Sequence, residues 1–130
     1  KGASSAQPAT DMIEDTLLRG FEDSGRIRGV ARSTAGIRAD YKLSTDVRRF
    51  ESDYQGQATP TVVIEVNAKL IHVADQRVVA DRTFRQAQPV GSTDVPAVTA
   101  AFERGLQQLA QDVVGWTLQS GQADQPTVAR

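Results

Sequence analysis

The residue best able to do chemistry in this chain is His72, the only histidine among 130 residues. An imidazole can act as a general base near neutral pH, but it needs a nucleophile and an orienting group brought beside it. His72 lies next to a predicted turn, and its nearest acidic neighbour in sequence, Asp75, falls within that turn instead of at a metal-ligand spacing. A second pair, Glu51 and Asp53, sits two apart on one face of a predicted strand. Paired carboxylates do acid–base work when their surroundings drive their pKa values apart. Here Arg48, Arg49 and Ser52 flank them, which reads as a solvated patch. Cysteine is absent, so there is no thiol nucleophile, Cys-ligated metal or disulfide framework. No GxSxG, P-loop or dinucleotide fingerprint occurs, and the glycines are scattered singly. The residue types therefore predict a protein that is not an enzyme and carries no cofactor or metal.

Two further features invite a binding role. Arg26, Arg28, Arg32 and Arg38 cluster before the first long strand, and guanidinium forks pair well with phosphate. The alternative is a charged edge strand around Ile27 and Val30, protected from aggregation by its arginines. The near balance of 15 basic against 16 acidic residues favours the second and argues against nucleic acid as a partner. Trp116 is either a cap over the end of the core or an aromatic anchor at an interface. No apolar run reaches the roughly 20 residues needed to span a bilayer. The chain opens at Lys1 with neither an initiator Met nor a signal-peptide pattern, which reads as a processed product or a trimmed fragment.

The elements that position these residues follow from apolar rhythm. Residues 1–10 read as a disordered tail, 11–119 as a single α+β domain, and 120–130 as a second disordered tail. A first helix starts at Thr10 or Asp11, with Asp11 and Glu14 in the reciprocal capping spacing. Its face is Ile13, Leu17 and Phe21, flanked by Met12 and Leu18, and Gly25 closes it. Three strands alternate apolar and polar residues. The first places Ala39, Tyr41, Leu43, Thr45 and Val47 on one side, then changes phase at Phe50 and Tyr54. A phase change implies a bulge, here at Arg48-Arg49, unless the two aromatics pack on the opposite face. The second strand points Val62, Ile64, Val66, Ala68 and Leu70 to the core and Glu65, Asn67 and Lys69 away. The third continues the apolar face with Val78, Ala80 and Phe84, and turns Asp81, Thr83 and Arg85 outward. A final helix, from Thr93 or Asp94 to Leu118, carries a stripe of Val98, Phe102, Gly105, Leu109, Val113 and Trp116. Gly105 in mid-helix predicts close approach to a strand.

The order of four blocks, IEDTLLRGFEDSGRI, ADYKLSTDVRRFE, VVIEVNAKLIHVADQRVVADRTF and DVPAVTAAFERGLQQLAQDVVGW, resembles the C-terminal two-thirds of the ABC-type transport auxiliary lipoproteins. These are accessory lipoproteins of MCE-type lipid transport systems. The resemblance implies an α+β fold, a mainly antiparallel sheet with two helices packed on one face. It also implies a non-catalytic periplasmic role in moving phospholipid or a sterol-like lipid. The implied partners are an MCE-domain protein and membrane transporter subunits, with homo-oligomerisation an option. Contact with the outer membrane would come only through a lipid anchor that this sequence lacks. The candidate partner surface is Arg48, Arg49, Glu65, Asn67, Lys69, Asp81, Thr83, Arg85 and Trp116. The alternative function is a lipid carrier that holds an acyl chain between helices and sheet.

Overall fold

A computed structural model describes residues 2–24 and 41–124, with the side chains of the first helix described from Pro8 onward. The expected edge strand at Ile27–Val30, the four-arginine segment, the Gly25 helix end and Ala39 lie outside the described residues. Five elements follow in order: α1 (Gly2–Ser24), β1 (Tyr41–Asp53), β2 (Thr61–His72), β3 (Arg77–Pro89) and α2 (Val95–Asp124). The strands form one antiparallel sheet in the order β1-β2-β3. Helix α2 lies over β2 and β3, while α1 packs beside it, against α2 and β1.

The core sits between the sheet and the helices. Val62, Ile64, Val66, Ala68 and Leu70 of β2 are each 0–1% exposed, and the first four share one core cluster with Leu109 and Val113 of α2 and Ile13, Leu17 and Phe21 of α1. The alternation explains why one face of β2 is sealed, since residues two apart share a face. The helix stripe lands as its spacing requires, with Gly105, Leu109 and Val113 buried and Val98, Phe102 and Trp116 packed at its margins. A Cβ on Gly105 would stand 3.0 Å from Ile64 Cδ1. Glycine is therefore what lets α2 reach the sheet, and it offsets the roughly 1 kcal/mol that glycine costs in a helix.

The phase change in β1 is a bulge. Val47 faces Val66 and Arg49 faces Glu65, so Arg48 is the extra residue. The slip returns Phe50 to the helix side, opposite Ile64, where its ring stacks on Phe102 at 4.9 Å. Tyr54 does not follow it inward. The strand has ended at Asp53, and Tyr54 is 43% exposed at the start of a turn in which Gln57 N donates to Tyr54 O at 2.8 Å. Positive φ at Gln55 and Gly56 gives that turn the hand that suits a hairpin.

Three sequence expectations need correction. Val78 does not continue the apolar face. A second register shift leaves Val79 unpaired, because Leu70 faces Ala80 and Ile71 faces Val78, so Val78 points away from the helices and is 51% exposed. Helix α1 begins at Gly2 instead of at the Thr10–Asp11 cap. Pro8 sits inside it, forgoing one i→i−4 hydrogen bond, while Ala9 is buried. Helix α2 runs past Leu118 to Asp124, because its last turns still have tertiary partners: buried Thr117, Gly121 against Leu70, and Asp124 bonded to Tyr41 and Arg77. Its start agrees with the expected cap, with Asp94 O accepting from Ala97 N and Val98 N.

Two stability outcomes follow from this packing. Gly105→Val should lower unfolding free energy by about 2 kcal/mol in urea denaturation, from overpacking against Ile64. The Thr117 hydroxyl is buried without a hydrogen-bond partner. Thr117→Val, nearly isosteric, should raise stability by about 1 kcal/mol in the same assay.

Candidate partner-binding surface

The face of the sheet turned away from the helices is built from five rows of cross-strand neighbours that carry polar groups. From the β2–β3 turn downward they read Ser44–Lys69–Asp81, Asp46–Asn67–Thr83, Arg49–Glu65–Arg85, Glu51–Val63–Ala87 and Asp53–Thr61–Pro89. Above them, Lys42, Ile71 and Val78 form a more apolar corner. Seven of the nine residues predicted for a partner surface are thus brought together on this face. Arg48 is the bulge residue, exposed and paired with Asp46 at 2.9 Å. Trp116 lies on the helix side, edge-on to Phe84 at 5.4 Å between ring centroids.

Asn67 organises the centre. It is only 6% exposed, so it acts from beneath its neighbours instead of presenting itself. Its Nδ2 donates to Asp81 Oδ1 at 2.8 Å and to Thr83 Oγ1 at 3.1 Å, and its Oδ1 accepts from Lys69 Nζ at 2.7 Å. The amide therefore bridges an acid, a hydroxyl and an ammonium group, satisfying a buried polar side chain. On β1, Arg49 holds Glu51 and also Asp53, the latter at 3.1 Å, and these carboxylates raise its pKa further. Glu51 and Asp53 are thus ion-pair partners of one arginine and not an acid–base pair. Arg85 is less engaged: its Nε lies 3.8 Å from Glu65, and its side chain is 51% exposed.

A second cluster, which the sequence did not signal, closes the end of the molecule where α2 stops. Asp124 accepts from Tyr41 Oη at 2.7 Å and from Arg77 Nη1 at 3.0 Å. Arg77 Nε also donates to Asp75 at 3.3 Å, and His72 Nδ1 donates to Asp75 Oδ1 at 2.8 Å. The Tyr41 ring meets the His72 ring edge-on at 5.3 Å. Arg77 and Tyr41 hold the Asp124 carboxyl below the ordinary carboxylate range, and His72 with Arg77 does the same for Asp75. His72 is accounted for by this ring contact and this bond. Tyr41 and Asp124 are 83 residues apart, so local pattern could not have announced their contact. Among the described residues no group of three His, Cys, Asp or Glu side chains could hold a metal ion. No helix among them is long and apolar enough to cross a membrane.

Two helices on one face of an antiparallel sheet, with the other face laced by its own ion pairs and covered by no helix or strand among the described residues, define a small α+β domain. The chain belongs to the family of the ABC-type transport auxiliary lipoprotein component, whose profile matches residues 6–114. A crystal structure of a Xanthomonas campestris protein, 60% identical, superposes with a TM-score of 0.83 over 90% of this chain and 65% of that one. A Caulobacter crescentus protein described as a candidate lipoprotein shares the fold, at 19% identity and a TM-score of 0.54, over 85% of this chain and 83% of its own. An uncharacterized protein of Bradyrhizobium diazoefficiens is 26% identical over 107 residues, 82% of this chain and 28% of its own length. The chain thus spans under two-thirds of the Xanthomonas protein and little over a quarter of the Bradyrhizobium one.

The carboxylate cluster has a pH signature. A carboxyl with a depressed folded-state pKa contributes its full stabilisation above its ordinary pKa and loses it as pH falls through the depressed one. Between about pH 5 and about pH 2, the melting temperature of the native chain should therefore fall more steeply than that of Asp124→Asn, measured by circular dichroism.

Proposed function

We propose that this domain is a non-catalytic accessory subunit of an ABC/MCE-type lipid transport system. In the full-length protein it works in the periplasm, held at the outer membrane by a lipid anchor, and it acts by binding partner proteins. The observation that carries this reading is membership of the auxiliary lipoprotein family. The polar sheet face gives it a physical basis. Its polar side chains are fixed by Asn67 and by Arg49 before any partner arrives, which lowers the ordering cost of association. Charges held in a set pattern also confer specificity, since a mismatched partner would meet like charges.

The packing of the layers bears on the alternative of an acyl-chain carrier. Where α2 crosses β2, Ile64 fills the space down to the van der Waals limit against Gly105. A bound acyl chain would have to separate these layers there. That observation favours protein binding over lipid holding.

The full-length protein should co-purify with the MCE-domain protein of its own transport system. Lys69→Glu, which reverses the central positive charge of the face, should reduce that recovery about ten-fold. Absence of any association by the full-length protein would overturn the reading.

A further inference from the structure

The sheet has two outer strands, and they differ in a way that matters for association. Among the described residues β1 and β3 each pair only with β2, so each has an unpaired edge. An unpaired edge is a row of free backbone donors and acceptors, ready to accept another strand. On β1 that row is broken at mid-length by the Arg48 bulge. On β3 the only irregularity is at Val79, next to the turn, and Ala80–Gln88 pairs with β2 without a break. The β3 edge is therefore the one able to extend the sheet.

We propose that β3 pairs antiparallel with β3 of a second copy of this chain about a two-fold axis at Thr83. The argument is the charge pattern along the strand. Antiparallel pairing centred on Thr83 sets Asp81 opposite the partner's Arg85, and Arg85 opposite the partner's Asp81. Thr83 then faces its own counterpart. Each of these is a favourable cross-strand pair, and symmetry makes each charge pair occur twice. Arg85 suits this role because its one ion pair is long, leaving its guanidinium free to reach across. On the helix side the same register sets Arg82 opposite the partner's Phe84. Arg82 already lies over the ring of its own Phe84, 5.0 Å from the centroid, so the cation–aromatic pairing is doubled across the axis. Because α2 lies over β2 and β3, the two α2 helices would run about two strand spacings apart, roughly 10 Å, which is within helix-packing range. The half-buried Trp116, seated on Phe84 at this margin, would be covered. Two three-stranded sheets become one of six strands, its polar face continuous across the axis.

This inference does not depend on the transport reading, since it concerns only self-association of the purified chain. Sedimentation equilibrium tests it. The native chain should behave as a dimer in a concentration-dependent equilibrium. Asp81→Arg and Arg85→Asp should each weaken dimerisation about ten-fold or more, because each places like charges opposite one another. The two variants mixed together should re-associate as a heterodimer, since every reversed charge then meets its complement, and the double variant should dimerise on its own. Asp81 also bonds Asn67, so circular dichroism on each variant confirms that the fold persists, and Arg85→Asp tests the axis without touching that bond. A native chain that stays monomeric at every concentration overturns the proposal. A dimer indifferent to the single reversals, or variants that fail to re-associate when mixed, would overturn it as well.

Discussion

The structure depends on the burial of one face of β2 beneath α2. Five side chains in alternation, Val62 to Leu70, lose almost all contact with water. Burying a valine, leucine or isoleucine side chain is worth about 1.5–3 kcal/mol. The layers can only meet this closely because Gly105 has no Cβ. Everything else is arranged around that contact. Helix α1 fills the space beside α2, β1 and β3 flank the central strand, and the bulge at Arg48 turns Phe50 back toward Phe102 so that the core extends to its lower margin.

The same contact decides what the other face can be. With both described helices on one side, no described helix or strand covers the other face of the sheet. Val63 and Asn67 are nonetheless buried there, 1% and 6% exposed, despite pointing away from the helices. Apart from the Ile71–Val78 corner and Ala87 and Pro89 at the edge, the remaining positions are polar and largely pair with one another. Exposed ion pairs of this kind contribute little to stability, typically 0–1 kcal/mol each by about the usual measure. Their effect lies in holding charges at fixed places.

Much of this was legible in local pattern. Alternation over Val62–Leu70, the four-and-three stripe of α2 and the out-of-phase Phe50 are short-range signals, and strand period, helix period and bulge follow from them directly. What the sequence hid was set by contacts between distant residues or by residues with weak preferences of their own. Val79 gives no cue that it will be skipped in pairing, so Val78 looked like a core residue. Ser120 to Asp124 carries no apolar rhythm, and those turns are held by Arg77, Tyr41 and Leu70 from elsewhere in the chain. The candidate surface was readable as a face, because parity along a strand assigns sides. Burial of Asn67 within it was not, since it arises from the neighbours that close over the amide. Trp116 was read both as core and as anchor, and its position on Phe84 shows how one residue at the margin of a layer serves as packing while keeping an edge free.

Helices α1 and α2 run in the same direction. Gly20 meets Val114, while Met12 and Thr16 share a groove with Ala100 to Gln107 and Thr16 to Ser24 share one with Gln107 to Gly115, so both helices climb toward one end. Peptide dipoles aligned in this way add, and each helix brings about half a negative charge to its C-terminal end. Neither helix carries a basic residue in its last turn to answer it. For α2 the answer comes from the sheet, in Arg77 at the start of β3. The two described helices thus lay their dipoles along a shared direction even though the formal charges of the chain almost cancel, and Arg77 stands where the α2 dipole asks for a cation.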